Sequence, residues 1–167
     1  MVYFRKYKTP GGFDDLLMYS DGVSLTGLWF EGSRDEIKHK KNCEEKQLPI
    51  FIEAEKWLDR YFSGNPETDL PQMKIDGFTA FRRDVFEIMK SIPYGKTMTY
   101  GEIAEKIARK RGLKKMSAQA VGGAVGWNPI CIMIPCHRVV GTDGSLTGYG
   151  GGIENKRQLL YHEKGNL

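Results

Sequence analysis

Residues 64–78 separate two stretches of the chain that have different residue patterns, because this connector contains glycine and proline residues that interrupt regular structure. The stretch before it has two apolar runs around Asp21-Gly22, which is typical of a β-hairpin, and then a helical pattern. The stretch after it has mainly helical spacing. We therefore predict an α/β N-terminal domain with a small sheet and a helix at residues 1–75, followed by a mainly helical domain at residues 76–167.

Two short helices are predicted in the second stretch. Thr99 and Glu102 have the spacing of a capping box at the start of the first helix, and Ser117 starts the second. Residues 105–115, at the end of the first helix and in the turn after it, are strongly basic, and two short helices around a small turn resemble a helix-turn-helix. Gly122 is costly inside a helix, so we expect another backbone or a ligand to approach closely there.

Composition limits the class of protein. The chain has 167 residues, 40% of them hydrophobic, with a net charge of +4, which permits a polyanionic partner without requiring one. It has no apolar run long enough for a membrane span and no signal peptide at its N-terminus, which favours a cytoplasmic protein. Cys43, Cys131 and Cys136 are too irregularly spaced for a disulfide framework. His39 and Cys43 are too few for a structural zinc site, so we predict no metal.

The apolar run at residues 130–134 is predicted to be a buried strand that leads through a proline to Cys136 and His137. Neighbouring side chains in a strand or helix point apart, so the thiol and imidazole cooperate only if the backbone turns or a water bridges them. The alternative is a buried cysteine beside an unrelated histidine. A histidine base is normally oriented by a carboxylate. The downstream candidates, which spacing does not separate, are Asp143, Glu154 and Glu163.

Three motifs occur together in this order: "IPYGKTMTYGEIA" at 92–104, "SAQAVGGAVGWNP" at 117–129 and "IPCHRVVG" at 134–141. With these motifs the chain resembles the O6-alkylguanine-DNA alkyltransferases, the methylated-DNA–protein-cysteine methyltransferases. The resemblance extends from about Phe81 to Glu163 and is looser in the N-terminal part. It implies direct DNA repair in which the alkyl group of O6-alkylguanine in duplex DNA moves irreversibly to the protein in a single turnover. O4-alkylthymine is a second candidate substrate.

The resemblance also implies roles for residues at the thiol. Cys136 would attack the alkyl carbon, His137 would deprotonate it through a bridging water, and Glu163 would orient the histidine. The residues matched to the binding pocket for the flipped base are Tyr100, Asn128, Val139, Tyr149 and Gly150. The tyrosine at 149 would hydrogen-bond the base, the glycine amide would face O6, and the carbonyl groups of Cys136 and Val139 would accept from the exocyclic amine. Tyr100 would crowd the 3′ phosphate, and Asn128 would link the helices to the thiol segment.

The DNA-binding residues implied by the same match are Lys115, Ser117, Ala118, Gln119 and Gly122. Gln119 stands where the family often has an arginine that fills the space left by the flipped base. This departure from the family pattern is expected to affect base flipping and not the alkyl transfer itself. The lesion is itself the alkyl donor, so we expect no cofactor, and we expect a monomer. Trp127 is predicted to pack, and His162 to be exposed. A lesion-sensing protein of the same fold and a cysteine hydrolase or redox sensor are the alternative functions.

Overall fold

The computed structural model describes residues 1–39, 42–66, 68–146 and 148–165. Its main sheet has four strands in the order β3-β2-β1-β4, and β4 lies parallel to β1 while the other neighbours are antiparallel. The strands are β1 (Tyr3–Tyr7), β2 (Leu16–Ser20), β3 (Leu25–Phe30) and β4 (Glu44–Glu45). The fold is thus a small mixed sheet combined with helices.

The predicted hairpin is confirmed, with a longer connection than the Asp21-Gly22 pair suggested. Strands β2 and β3 pair from Leu16 opposite Phe30 onward, and four residues join them. Gly22 takes a positive φ of 110°, and the Asp21 carboxylate accepts hydrogen bonds from the backbone amides of Val23 and Ser24 in the turn. The aspartate therefore organises the turn through its side chain.

The described residues also form six α-helices and one short 3₁₀-helix at Cys136–Arg138. The α-helices are α1 (Arg34–His39), α2 (Pro49–Phe62), α3 (Ala80–Lys90), α4 (Tyr100–Lys110), α5 (Ala118–Gly126) and α6 (Ile153–Glu163). A second, two-stranded parallel sheet joins β5 (Met98–Thr99) to β6 (Val139–Val140). No helix among the described residues is long and apolar enough to cross a membrane.

Side-chain caps determine where α4 and α5 begin. Thr99 and Glu102 form the predicted capping box: the Thr99 hydroxyl accepts from the Glu102 amide at 3.1 Å, and the Glu102 carboxylate accepts from the Thr99 amide at 2.7 Å. The Ser117 hydroxyl accepts from the Ala120 amide at 3.2 Å at the start of α5. Each cap satisfies helix amides that have no partner within the helix. The two helices pack together and against α3.

One apolar core runs through both predicted domains, since it includes buried side chains from the sheet, from α2 to α5 and from α6. Backbone hydrogen bonds also connect the two parts. The Leu28 amide of β3 donates to Pro129 O at 2.9 Å, and Leu28 O accepts from the Cys131 amide at 3.1 Å. The chain just before the thiol is thus held against the N-terminal sheet.

Candidate active site

The apolar run at residues 130–134 forms tight turns, so the strand predicted there is wrong. The Met133 amide donates to Cys131 O at 2.7 Å, which closes a three-residue turn around Ile132. Ile132 has a φ of +66°, a left-handed conformation that is uncommon for a β-branched side chain. The run is buried as expected, but its residues direct the chain sharply instead of extending it.

Pro135 makes a second tight turn directly before the thiol. Its φ of −81° and ψ of 63° are those of an inverse γ-turn, and the Cys136 amide donates to Ile134 O at 2.8 Å. Asn128 clamps the whole segment: its side-chain nitrogen donates to Ile134 O at 2.8 Å, and its oxygen accepts from the Ile130 amide at 3.0 Å. Cys136 and His137 then begin a short 3₁₀-helix, Cys136–Arg138, in which neighbouring side chains do not face each other, so a bridging water is the remaining route to cooperation.

Behind the thiol, His137 and Glu163 form a buried pair at the centre of a polar cluster. His137 Nε2 lies 2.6 Å from Glu163 Oε1, and both side chains are fully buried. The same carboxylate accepts from the Tyr61 hydroxyl at 2.9 Å and from the Gly95 amide at 3.1 Å. Arg138 donates to both of its oxygens and anchors its own guanidinium on Ile92 O. The spacing left three carboxylates open, and Glu163 is the one in contact with the histidine.

The charges of this cluster determine the tautomer of His137. Burial alone would raise the pKa of Glu163, but the hydrogen bond with His137 and the hydrogen bonds and charge of Arg138 outweigh it and hold that pKa well below its usual range. Burial lowers the pKa of His137 despite the neighbouring carboxylate. A neutral ring beside an ionised carboxylate donates from Nε2, which leaves a lone pair on Nδ1. Nδ1 is buried and has no hydrogen-bond partner among the described residues, so it can accept a proton.

The Cys136 thiol is protonated in this state. Burial raises its pKa and Asp35 adds to the effect, while Asn128, Lys156 and Tyr149 oppose them. The buried Tyr149 hydroxyl affects the thiol in this way, yet it makes no well-formed hydrogen bond within the described part of the chain. The thiol therefore needs a base to become a nucleophile.

Cys136 is 6% exposed and lines a cavity of about 30 Å³. The other predicted site residues that line this cavity are Tyr100, Gly122, Asn128, Tyr149 and Gly150. Val139 does not line it, and its carbonyl accepts from Lys156 Nζ at 2.6 Å. A cavity of this size holds only a few water molecules. The structure thus brings most of the predicted pocket together around the thiol in a closed form.

Comparison with known proteins identifies relatives of this chain. The family described as "6-O-methylguanine DNA methyltransferase, DNA binding domain" matches residues 80–165. The chain is 46% identical to a methylated-DNA–protein-cysteine methyltransferase of Mycobacterium tuberculosis, over 98% of this chain and 93% of that one. It is 41% identical to the protein of the same name from Haemophilus influenzae, over 98% and 87%. This chain belongs to the 6-O-methylguanine DNA methyltransferase family.

A solved structure extends the match to the fold. The crystal structure of Mycobacterium tuberculosis OGT in complex with DNA has a TM-score of 0.81 and 36% identity to this methyltransferase, and the match covers 99% of this chain and 94% of that one. The N-terminal part, which resembled the family more loosely in sequence, is included in that match. The small mixed sheet with its helices is therefore the fold of this family.

The predicted DNA-binding residues of this methyltransferase lie outside the cavity, apart from the glycine at 122. Lys115, Ser117, Ala118 and Gln119 are all exposed around the start of α5. Gly122 faces the Tyr100 ring, because a β-carbon there would lie 3.9 Å from it. Among the described residues no group of three or more His, Cys, Asp or Glu could hold a metal ion.

Several residues of the site carried no sequence signal. Tyr61 donates to Glu163 from helix α2, and Lys156 donates to the Val139 carbonyl from helix α6. Neither residue was assigned a role from the sequence. His162 was expected to be exposed, but it is buried and its Nε2 lies 3.0 Å from Tyr61 O. Six residues separate it from Lys156 on α6, a spacing that does not place the two on one helix face, and it is the contact with Tyr61 of α2 that buries the ring. Trp127 packs against aromatic side chains of α3 and its vicinity, with the Arg82 guanidinium 4.0 Å from its ring centroid.

Proposed function

We propose that this protein reverses alkylation damage in duplex DNA by moving the alkyl group of O6-alkylguanine irreversibly to Cys136. The observation that supports this most is the unpartnered Nδ1 of a neutral, carboxylate-held His137 behind a buried thiol, in a chain whose relatives carry the name methylated-DNA–protein-cysteine methyltransferase. A neutral base in this position can accept the thiol proton as the sulfur attacks the alkyl carbon. The lesion supplies the alkyl group, so the reaction needs no cofactor.

The reaction balances with the groups present. His137 Nδ1 takes the proton of the Cys136 thiol through a bridging water, and the thiolate attacks the alkyl carbon. A carbon–sulfur bond forms, the carbon–O6 bond breaks, and the bonding electrons leave with guanine, which then gains a proton. The product is a thioether, which water does not hydrolyse. The protein therefore acts once, as a stoichiometric acceptor.

The remaining residues hold the base that has left the duplex. A thiolate cannot reach O6 inside a stacked duplex, so the nucleotide must first be extruded. The Tyr149 hydroxyl, buried without a well-formed hydrogen bond in the described structure, is suited to bind the base, and the Gly150 amide would face O6. The exocyclic amine would donate to the Cys136 and Val139 carbonyl groups, the latter shared with Lys156. Tyr100 would crowd the neighbouring phosphate.

Helices α4 and α5 would form the helix-turn-helix that binds DNA, within a second domain at residues 76–167. A relative of known structure was solved in complex with DNA, which supports this assignment. Lys115 would attract phosphate, and the small exposed residues at the start of α5 would let its backbone approach the minor groove. Gln119 would enter the space left by the base. The monomeric state and the cytoplasmic location stay predictions.

Mass spectrometry tests the transfer. The protein is incubated with duplex DNA containing O6-methylguanine, and the peptide that holds Cys136 is expected to gain one methylene. Cys136→Ser should abolish the gain, while Cys43→Ser, at a thiol that does not line the cavity, should retain it. Binding without a mass change would instead identify a lesion sensor. Oxidation of Cys136 by peroxide without any transfer would identify a redox protein.

A further inference from the structure

The N-terminal part of the chain supplies one wall of the cavity at Cys136. Trp29 and Phe30 of β3 and Asp35 of α1 line it together with residues from the second half. Asp35 is the charged member of this group and is half-buried. This carboxylate lies at the same cavity as the thiol and the glycine-rich loop at residues 148–152. Its position therefore affects the size of the group that the pocket can hold.

Asp35 is in direct contact with Gly150. The Asp35 amide donates to Gly150 O at 3.3 Å. A β-carbon at residue 150 would lie 2.1 and 2.2 Å from the two carboxylate oxygens, and the three nearest atoms to it all belong to this carboxyl group. Real contacts of a β-carbon are never that short, so the carboxyl group occupies the space that any side chain at residue 150 would need.

This contact lies on the side of the pocket where the alkyl group would sit. The alkyl group is attached to O6 and must reach the sulfur of Cys136, and the Gly150 amide is the group proposed to face O6. Asp35 touches Gly150, lines the same cavity as Cys136, and its charge affects the pKa of both Cys136 and Cys131. An alkyl substituent longer than methyl would extend into the space between these groups.

We infer that the side chain of Asp35 sets the upper size limit for the alkyl group that this protein removes. The inference rests on the proposed function, and it adds an N-terminal residue that determines which O6-alkylguanines react. Methyl groups fit beside the carboxyl group, whereas a benzyl group requires the volume that the carboxyl group fills. Overpacking of this kind raises the barrier for the bulky substrate without changing the reaction of the small one.

Single-turnover rates on duplex DNA with O6-methylguanine and with O6-benzylguanine test the inference. Asp35→Ala should raise the ratio of benzyl to methyl rates by about tenfold, the effect of a few carbon atoms of pocket volume. Asp35→Asn keeps the volume and should raise the ratio less than alanine does. Ile37→Ala truncates a 64% exposed side chain on the same helix and should leave the ratio unchanged. An unchanged ratio in Asp35→Ala, or equal ratios in the alanine and asparagine variants, overturns the inference.

A second measurement does not depend on DNA. Iodoacetamide and the bulkier N-benzyl iodoacetamide are compared for their rates of modification of Cys136, measured on its peptide. The ratio of the two rates within each variant cancels any change in the thiol pKa, so it reports access alone. Asp35→Ala should raise the relative rate of the bulky reagent. If the wild type transfers no methyl group from DNA, the proposed function fails. The ratio of the two modification rates still tests whether Asp35 restricts access to Cys136.

A rescue experiment distinguishes a steric effect of the Asp35 carboxyl group on the pocket from a general structural role of the residue. Gly150→Ala should slow methyl transfer by at least about tenfold, because its β-carbon needs the space of the Asp35 carboxyl group. Adding Asp35→Ala should restore most of the lost rate, since the two residues are in contact and their effects should not add. If the methyl-transfer rate of the double variant is lowered by the product of the two factors measured in the single variants, the two residues act independently. That result contradicts the contact on which the inference rests.

Discussion

The polar cluster behind the thiol and the pocket in front of it differ in how completely their polar groups are paired. Behind the thiol, the Glu163 carboxylate accepts hydrogen bonds from His137, Arg138, Tyr61 and the Gly95 amide. In front, the buried Tyr149 hydroxyl has no well-formed hydrogen bond among the described residues. Buried polar groups are normally paired, and an exception needs an explanation. The rear carboxylate is fully paired without a ligand, whereas the front leaves a buried hydroxyl that the flipped base would pair under the proposed function.

His137 lies at the boundary between these two regions. Its Nε2 belongs to the paired cluster, whereas its Nδ1 is buried without a hydrogen-bond partner among the described residues. The rear cluster holds the ring in a fixed orientation and tautomer, so that the lone pair on the other side is ready for a proton. Stability should therefore respond to changes behind the ring, and reactivity to changes on both sides.

The largest expected effect is that of Glu163→Gln. The variant removes the carboxylate that His137 and Arg138 share, and it leaves a buried guanidinium without its anion. We expect a loss of about 3–5 kcal/mol in the free energy of unfolding, measured with urea. Transfer should slow by a factor of at least about 100, because the base loses its orienting partner.

Glu154→Gln is the matched control for that variant. Glu154 lies on the same helix α6, but its carboxylate is exposed and pairs with Arg157 at the surface. Exposed ion pairs contribute little, so both stability and transfer should stay near wild type. Equal losses in the two variants would mean that the helix, and not the buried cluster, is responsible.

Removal of one tyrosine hydroxyl from each region compares them directly. Tyr61→Phe deletes a hydrogen bond of 2.9 Å to the ionised Glu163 and should cost about 1–3 kcal/mol in the free energy of unfolding. Tyr149→Phe deletes a hydroxyl without a well-formed hydrogen bond, so the free energy of unfolding should hardly change. Transfer should slow by about tenfold in Tyr149→Phe, since the proposed contact to the base is lost. A destabilised Tyr149→Phe with normal transfer would reverse the assignment of the two regions.

Acidification should weaken the fold through His137. Burial holds the pKa of the folded ring below its usual 6.5, so the ring stays neutral while the unfolded chain takes up a proton. The stability that this provides is present above about pH 6.5 and is lost as the pH falls below it, by up to about 1.4 kcal/mol per pH unit for one proton. Urea unfolding between pH 7 and 5 measures the slope. His137→Gln should flatten it, and Cys136→Ser should preserve it.

The smallest expected effect is that of Gln119→Ala on the exposed DNA-binding face. Transfer from O6-methylguanine in duplex DNA should slow several-fold, because the proposed filling of the space left by the base is weakened, while the reaction with the free base should be unchanged. Single-turnover rates on the two substrates measure the difference, and Lys115→Ala, which removes a proposed phosphate contact, serves for comparison. If both substrates slow equally, Gln119 does not assist extrusion.

Local signals in the sequence predicted local structure well. The Thr99–Glu102 capping box, the Ser117 cap and the hairpin at Asp21-Gly22 all depend on residues within four positions of one another, and the structure confirms each of them. The strand predicted at 130–134 failed because periodicity does not distinguish a buried strand from a buried series of turns. The decisive contacts there come from Asn128 and from the backbone.

Contacts between distant parts of the chain explain what the sequence missed. Tyr61 and Glu163 are 102 positions apart, and Lys156 reaches the Val139 carbonyl from another helix. Asp35 had no motif of its own, and its contact with Gly150 exists only because α1 and the glycine-rich loop pack at the same edge of the sheet. Spacing along the chain carries no information about such pairs.

The sequence by itself determined the hairpin turn and the starts of two helices, because caps and turn residues act over a few positions, and the resemblance carried by its three motifs implied Cys136 and His137 as the reacting groups. Spacing left the carboxylate that holds the histidine open, although the resemblance implied Glu163, and tertiary packing decided which nitrogen atom of the ring is left unpaired and that an aspartate from the N-terminal part lines the pocket. The physical reason is burial. Only the folded core removes water from these groups, so that each remaining partner, or its absence, controls their protonation.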